Sequence, residues 1–201
     1  MKMGNEDMNT AKPAVFLDRD GTLIEDVNYL SSSDQIKLFE HSAAAVKKLN
    51  DTNILAILVT NQSGVARGYF DENDVKLVNQ ALADMLKDKN AYLDGIYYCP
   101  HHTKGIIEKY KKDCDCRKPK AGLIKQALSD FKDIDLKKSY VIGDKICDVE
   151  LARNAGCKGI LVKTGYGEKI AANSDQNYIK PDYIAEDIID AVNWILQDLY
   201  R

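Results

Sequence analysis

Short apolar runs punctuate the chain at Ala14–Asp18, Ile54–Thr60, Gly95–Cys99, Ser139–Asp144 and Lys158–Lys163, with a weaker one near Asp182–Ala185. None alternates strictly, which is the pattern of strands covered on both faces. Between them the apolar positions change period. Val75, Val78, Leu82 and Met85 recur at helical spacing behind the acidic start Asp71-Glu72, and Leu123, Ile124, Ala127, Leu128 and Phe131 do the same. A last helix carries Ile188, Val192, Ile195 and Leu199 on one face. Alternating strands and helices predict an α/β fold, a three-layer Rossmann-like arrangement around a mainly parallel sheet. Residues 1–13 read as a flexible tail and 14–201 as a single domain. His101–Lys120 shows no period, which predicts a special loop there.

Composition narrows the picture only a little. The chain has 201 residues and a formal net charge of −3, which gives no global reason to bind nucleic acid or an acidic membrane. The longest purely apolar run, Ile54–Val59, is far short of the roughly 20 residues a spanning helix needs. Residues 1–12 contain no apolar signal-peptide core, so a cytoplasmic protein is expected, without membrane or nucleic-acid partners and as a monomer. Five cysteines, an odd number, argue against a disulfide framework.

The chemistry lies where the strands end. In parallel α/β sheets, ligands bind outside the carboxyl ends of the strands. The expected strand ends carry Asp18, Thr60 and Asp144. Any one of these could be a helix cap; together they mark one crevice. Asp18 and Asp20 stand two apart directly after a buried strand, which is costly unless a partner compensates them. With a helix starting near Ile146, Asp144 and Asp148 face the same crevice. Carboxylates with open positions suit a hard cation such as Mg²⁺. With Arg117, Lys118 and the Thr60 hydroxyl nearby, phosphoryl transfer becomes the reading.

Four ordered segments then resemble a known family. Phe16-Leu17-Asp18-Arg19-Asp20-Gly21-Thr22-Leu23 is similar to the first motif of the haloacid dehalogenase (HAD) superfamily, and Leu58-Val59-Thr60-Asn61-Gln62-Ser63-Gly64 to the second. Arg117-Lys118-Pro119 resembles the third, and Gly143-Asp144-Lys145 through Asp148 the fourth. Val65-Ala66-Arg67-Gly68 resembles a branch of small phosphatases that contains the heptose bisphosphate and histidinol-phosphate phosphatases. The resemblance implies an Mg²⁺-dependent phosphatase without a large cap, acting on a small phosphorylated sugar. In that reading Asp18 is the nucleophile and Asp20 the acid and base. Thr60 and Lys118 hold the phosphoryl group. Asp18, Asp20 and Asp144 hold Mg²⁺, and Asp148 supports its water shell. It also places Asp26, Asn28, Tyr29, Asn61, Gln62, Ser63, Arg117 and Lys145 at the substrate.

Cys99-x-His101 and Cys114-x-Cys116 offer three sulfurs and one nitrogen, a set that tetrahedral zinc takes in structural sites. The spacing departs from the common pattern of two intervening residues and leaves zinc open. The family resemblance implies it, as a structural Zn²⁺ in a loop over residues 99–118, with His102 facing solvent or substrate. Cys147 and Cys157 are expected in or near the core.

Three rivals remain. A histidinol-phosphate phosphatase would use the same catalytic set. A signalling receiver domain also gathers acids, Thr and Lys around Mg²⁺, but needs no second Asp two residues after its acceptor and is far shorter. A nucleic-acid-binding finger would use the basic Arg117-Lys118-Pro119-Lys120, against the net acidic charge.

Overall fold

The computed structural model describes residues 11–172 and 179–201. Among these residues six strands, β1 (Ala14–Leu17), β2 (Leu55–Asn61), β3 (Gly95–Cys99), β4 (Tyr140–Gly143), β5 (Lys158–Val162) and β6 (Tyr183–Ala185), form one sheet. Every pairing is parallel and the order is β3-β2-β1-β4-β5-β6. The chain lays down one half outward from β1, then returns to build the other half. β1 and β4 therefore diverge at a topological switch point, where a crevice opens.

The helices are α1 (Ser42–Asp51), α2 (Glu72–Lys87), α3 (Gly122–Asp130), α4 (Ile146–Ala155), α5 (Gly167–Ala172) and α6 (Ile188–Leu199). Side-chain alternation along the central strands sorts the core into two layers. Leu17, Leu58 and Ile142 point to a layer shared with α1, α2 and α6. Phe16, Ile57, Val59 and Val141 point to a second layer with α3 and α4. Asp71 caps α2 by accepting from the backbone N–H of Asn73 and Asp74, and Asp187 caps α6 through Asp190 N–H. No helix among the described residues is long and apolar enough to cross a membrane.

Some expectations change. Of the proposed tail, residues 1–10 lie outside the described residues, but Lys12 is pinned: its N–H donates to Asp133 O and its carbonyl accepts from Asp135 N–H. The segment between Asp20 and β2 holds one ten-residue helix, α1, preceded by a loop. Bridges Asp20↔Ile24 and Ile24↔Leu38 fold that loop back on itself. Thr60 caps nothing, because the next helix begins at Glu72 behind its own Asp71 cap.

Candidate active site

Asp18 follows β1 directly, and its N–H donates to Ile142 O of β4. Its carboxylate is buried. One oxygen accepts from the backbone N–H of Arg19 at 2.7 Å and lies 2.8 Å from Lys118 Nζ. The same ammonium reaches Asp148 at 2.7 Å and donates to Val59 O at 3.0 Å. Lys118 thus stands between two carboxylates, itself 4% exposed. Burial alone would drive its proton off, but the Asp148 and Asp18 charges outweigh burial and hold the pKa above its ordinary value. Burial pushes Asp18 up, yet Lys118 and Lys145 win and keep it below the usual carboxylate range.

Asp144 is different. It is fully buried, and burial raises its pKa to about 7; Asp148 is raised to about 6 for the same reason. Asp144 Oδ2 accepts from Tyr166 N–H at 2.9 Å, while among the described residues Oδ1 has no hydrogen-bond partner and lies 3.5 Å from Lys145 Nζ. Two glycines press against this carboxyl. A Cβ on Gly21 (φ +87°) would lie 2.2 Å from Oδ2, and one on Gly165 (φ +56°) 2.3 Å from it. Both positions therefore need glycine for space as well as for conformation. Thr164 Oγ donates to Gly21 O, which ties the two turns together. Asp18, Asp144 and Asp148 each offer an oxygen within 4.8 Å of the others. Three carboxylates against two ammoniums, with one buried oxygen unpartnered, fit a small hard cation.

Asp20 is turned toward Arg19 and Gln62. Arg19 Nε and Nη2 donate to its two oxygens at 3.2 and 3.0 Å, and Gln62 Nε2 donates to Oδ2 at 2.9 Å. Gln62 also donates to Thr60 Oγ at 2.9 Å, which leaves the Thr60 hydroxyl proton free to point into the crevice. Asn61 was expected at the substrate and lines the cleft, but its amide is occupied. It accepts from Lys118 N–H at 3.1 Å and donates to Lys118 O at 3.2 Å, so its visible role is to clamp the loop that delivers the lysine.

A cleft of about 520 Å³ opens above these groups, lined by Asp20, Asp26, Asn28, Tyr29, Ser63, Arg117 and Lys145 among others. Every residue expected at the substrate borders it. Asp26 pairs with Lys145 at 3.1 Å, and the ammonium stacks over the Tyr166 ring at 4.9 Å. Asn28 and Tyr29 both adopt positive φ, rare for side-chain-bearing residues, and Tyr69 packs edge-on against Tyr29 at 4.6 Å. Cys147 is corrected: it lines the cleft and is half-buried, because it sits in the first turn of α4 beside Asp148. Cys157 packs against the second core layer, as expected. Pocket residues Tyr166 and Lys169 come from the loop after β5 and from α5, which no motif marked.

Between β3 and α3 the thiol loop gathers its four side chains. Cys99, His101, Cys114 and Cys116 have ligand atoms all within 4.8 Å of one another. The sulfurs lie 3.2 to 3.5 Å apart, and His101 Nδ1 is 3.3 Å from Cys116 Sγ. Hydrogen bonding with Cys99, and less with Cys114, brings the Cys116 thiol down to about 5, while Cys99 is pushed up. One thiol gives its proton up first, and its neighbours then resist ionisation. That crowding fits a thiophilic cation with four protein ligands and no open position. His102 stands apart from the cluster. Its Nε2 lies 3.3 Å from Arg67 Nη2 and its Nδ1 accepts from Lys104 N–H. Arg67 therefore acts as a tie to this loop, and Ala66 O accepts from Ile106 and Ile107 N–H beside it. The loop ends at Cys116, so it sets where Arg117 and Lys118 enter the crevice.

Comparison with known proteins follows the same lines. A family model described as HAD-hydrolase-like matches residues 115–191. A D-glycero-D-manno-heptose-1,7-bisphosphate 7-phosphatase of Thermosynechococcus vestitus is 42% identical over 94% of this chain and 97% of its own. A D-glycero-beta-D-manno-heptose-1,7-bisphosphate 7-phosphatase of Escherichia coli is 37% identical over 96% of this chain and 92% of its own. Among solved structures, a D,D-heptose 1,7-bisphosphate phosphatase from B. bronchiseptica, complexed with magnesium and phosphate, aligns with a TM-score of 0.81 and 29% identity. That alignment covers 92% of this chain and 99% of the other.

Proposed function

The chain belongs to the heptose bisphosphate phosphatases among the HAD-like hydrolases, and from that premise we propose that it removes the 7-phosphate of D-glycero-D-manno-heptose 1,7-bisphosphate. The observation that carries the chemistry is Lys118 held between Asp18 and Asp148 at the end of β1. It keeps a carboxylate ionised in a buried place where an anion must arrive. The observation behind the substrate is the nearly full-length alignment, at 37 to 42% identity, with relatives bearing that name. An open cleft lined by Arg117 and Lys145 suits a compact substrate with a second phosphate.

The reaction runs in two halves. Asp18 attacks phosphorus in line; its oxygen–phosphorus bond forms as the ester bond breaks, and Asp20 gives its proton to the departing sugar oxygen. Asp20, now a base, takes a proton from water, whose oxygen attacks phosphorus and releases phosphate and free Asp18. The Thr60 hydroxyl and Lys118 ammonium bind phosphoryl oxygens, in contacts that strengthen as charge builds there. Asp26, Asn28, Tyr29, Ser63, Arg117 and Lys145 bind the sugar and its remaining phosphate. Asp18, Asp144 and the Asp20 carbonyl would hold Mg²⁺, with Asp148 supporting its water shell. When bound, the cation supplies the positive charge that lets carboxylate and phosphate meet. Cys99, His101, Cys114 and Cys116 would hold Zn²⁺, which supplies a crosslink for the loop. Five cysteines with no disulfide suit a reducing compartment such as the cytoplasm.

The test is a kcat/KM comparison across both anomers of heptose 1,7-bisphosphate, histidinol phosphate and simple sugar phosphates. A preference of about 100-fold or more for a heptose bisphosphate is expected. Equal or better turnover of histidinol phosphate would overturn the assignment.

A further inference from the structure

We infer that Arg19 is a positioning residue for the acid–base carboxylate Asp20, and that Asn79 on α2 sets Arg19 in place. The inference rests on the reading of Asp20 as the proton carrier.

Arg19 is the largest of the fully buried side chains among the described residues. A buried guanidinium needs a reason, because desolvating it is costly. The local turn does not supply one. The backbone carbonyl of Arg19 already receives the N–H groups of Thr22, Leu23 and Ile24, contacts that any residue would make. The side chain serves something else. Nε and Nη2 take the two Asp20 oxygens side by side, which fixes the carboxyl plane as only a planar fork does. Nη1 donates to Asn79 Oδ1 at 2.9 Å. Asn79 is 3% exposed and sits on the inner face of α2, so a polar residue has been placed where the helix otherwise buries Val75, Val78 and Leu82. Gln62 fills the remaining side of Asp20 Oδ2. The carboxyl is held on three sides yet still borders the cleft.

Such a fork acts on proton transfer and leaves nucleophilic attack alone. Asp20 must meet the departing oxygen and later the attacking water at two defined places. A carboxyl that wanders fails at both, whereas Asp18 still attacks. An aryl phosphate such as p-nitrophenyl phosphate separates the two, because p-nitrophenolate leaves without a proton. With it, the bond from Asp18 to phosphorus still forms and the phosphate–aryl bond still breaks. Only water's attack on the phosphoenzyme then needs Asp20.

The experiment is rapid-mixing kinetics on Arg19→Lys and Asn79→Leu, with melting curves to establish folding. With p-nitrophenyl phosphate, each variant is expected to give a burst approaching one p-nitrophenolate per chain, then a steady rate about tenfold or more below wild type. With the sugar bisphosphate, kcat falls by about tenfold or more with KM within about threefold, and Asn79→Leu shows the smaller loss. A structural role would reduce burst and steady rate together. That result, or no change in either, overturns the inference. If Arg19→Lys does not fold, Asn79→Leu carries the test, since it leaves the fork's charge intact. Asp20→Asn separates the two levels. If it gives no burst, the reading of Asp20 fails; if it bursts and the Arg19 and Asn79 variants do not, only the positioning inference falls.

Discussion

The crevice at the ends of β1 and β4 and the thiol loop after β3 each gather ionisable groups in a small space, and they solve the problem in opposite ways. In the crevice the protein supplies its own compensation: Lys118 bridges Asp18 and Asp148, and Lys145 approaches Asp144. In the loop the sulfurs find mainly one another and His101. On the proposed reading the first is organised by the chain and would be tuned by a cation, while the second would take its shape from one. Removing metal should therefore silence the crevice with little change of fold, and should loosen the loop.

The largest effect tests the crevice. Asp18→Asn is expected to keep the melting temperature near wild type and to cut turnover by about 10³-fold or more, measured as phosphate release. Lys118→Met comes next. It leaves Asp18 and Asp148 buried without their shared cation, and chemical denaturation should show a loss of about 3–5 kcal/mol. A neutral result there would mean that the crevice does not depend on its own lysine, and the contrast would break. The loop is tested third. Cys116→Ser, or stripping with a chelator, should remove about one zinc per chain by elemental analysis. Stability should drop by about 3 kcal/mol, roughly 6–12 °C in Tm for a chain of this size. Protein purified without chelator and free of zinc would count against the loop's dependence on a cation.

Two smaller predictions sharpen the contrast. Gly165→Ala pushes a methyl into the Asp144 carboxyl, and calorimetry should show Mg²⁺ binding weakened by about tenfold with the zinc content unchanged. The last concerns pH. Asp144 and Asp148 are raised in the folded protein, to about 7 and about 6, so the folded state holds these protons more tightly than the unfolded one. Their contribution to stability is complete below the ordinary value of 3.8 and is lost as pH climbs through 6 to 7. Asp18, held low, acts in the other direction, but only below that ordinary value. Mg²⁺ competes with the Asp144 proton, so the Tm gain it gives should be larger at about pH 8 than at about pH 5.5. A gain independent of pH would show that Asp144 is not where the cation binds.

Much of the crevice was legible because parallel strands deliver their last residues to one edge. Asp18, Thr60 and Asp144 each follow a short apolar run that stands out in one sequence. The four side chains of the thiol loop were legible because Cys99-x-His101 and Cys114-x-Cys116 stand in one stretch without period and resemble the family's zinc loop; the fold brings them together. What escaped notice acts across the chain. Asn79 meets Arg19 from α2, and Thr164 meets Gly21 from beyond β5; nothing local in Val78-Asn79-Gln80 or Thr164-Gly165 points to a partner. Asn61 borders the cleft, and its amide also clamps Lys118, a contact that nothing local beside the motif announces. Cys147, expected in or near the core, lines the cleft because α4 begins at the crevice wall, a placement no local signal marks. The loop from Asp20 to α1 is folded by the bridges Asp20↔Ile24 and Ile24↔Leu38, which leave no periodic signal in the sequence.

The most direct test is whether the phosphoryl group passes through Asp18. The wild-type protein would be mixed with heptose 1,7-bisphosphate, quenched in acid within the first turnover and digested for mass spectrometry. A phosphoryl adduct on the peptide carrying Asp18, absent from Asp18→Asn, is the expected result. Full turnover with no adduct on that peptide, or turnover retained in Asp18→Asn, would contradict it.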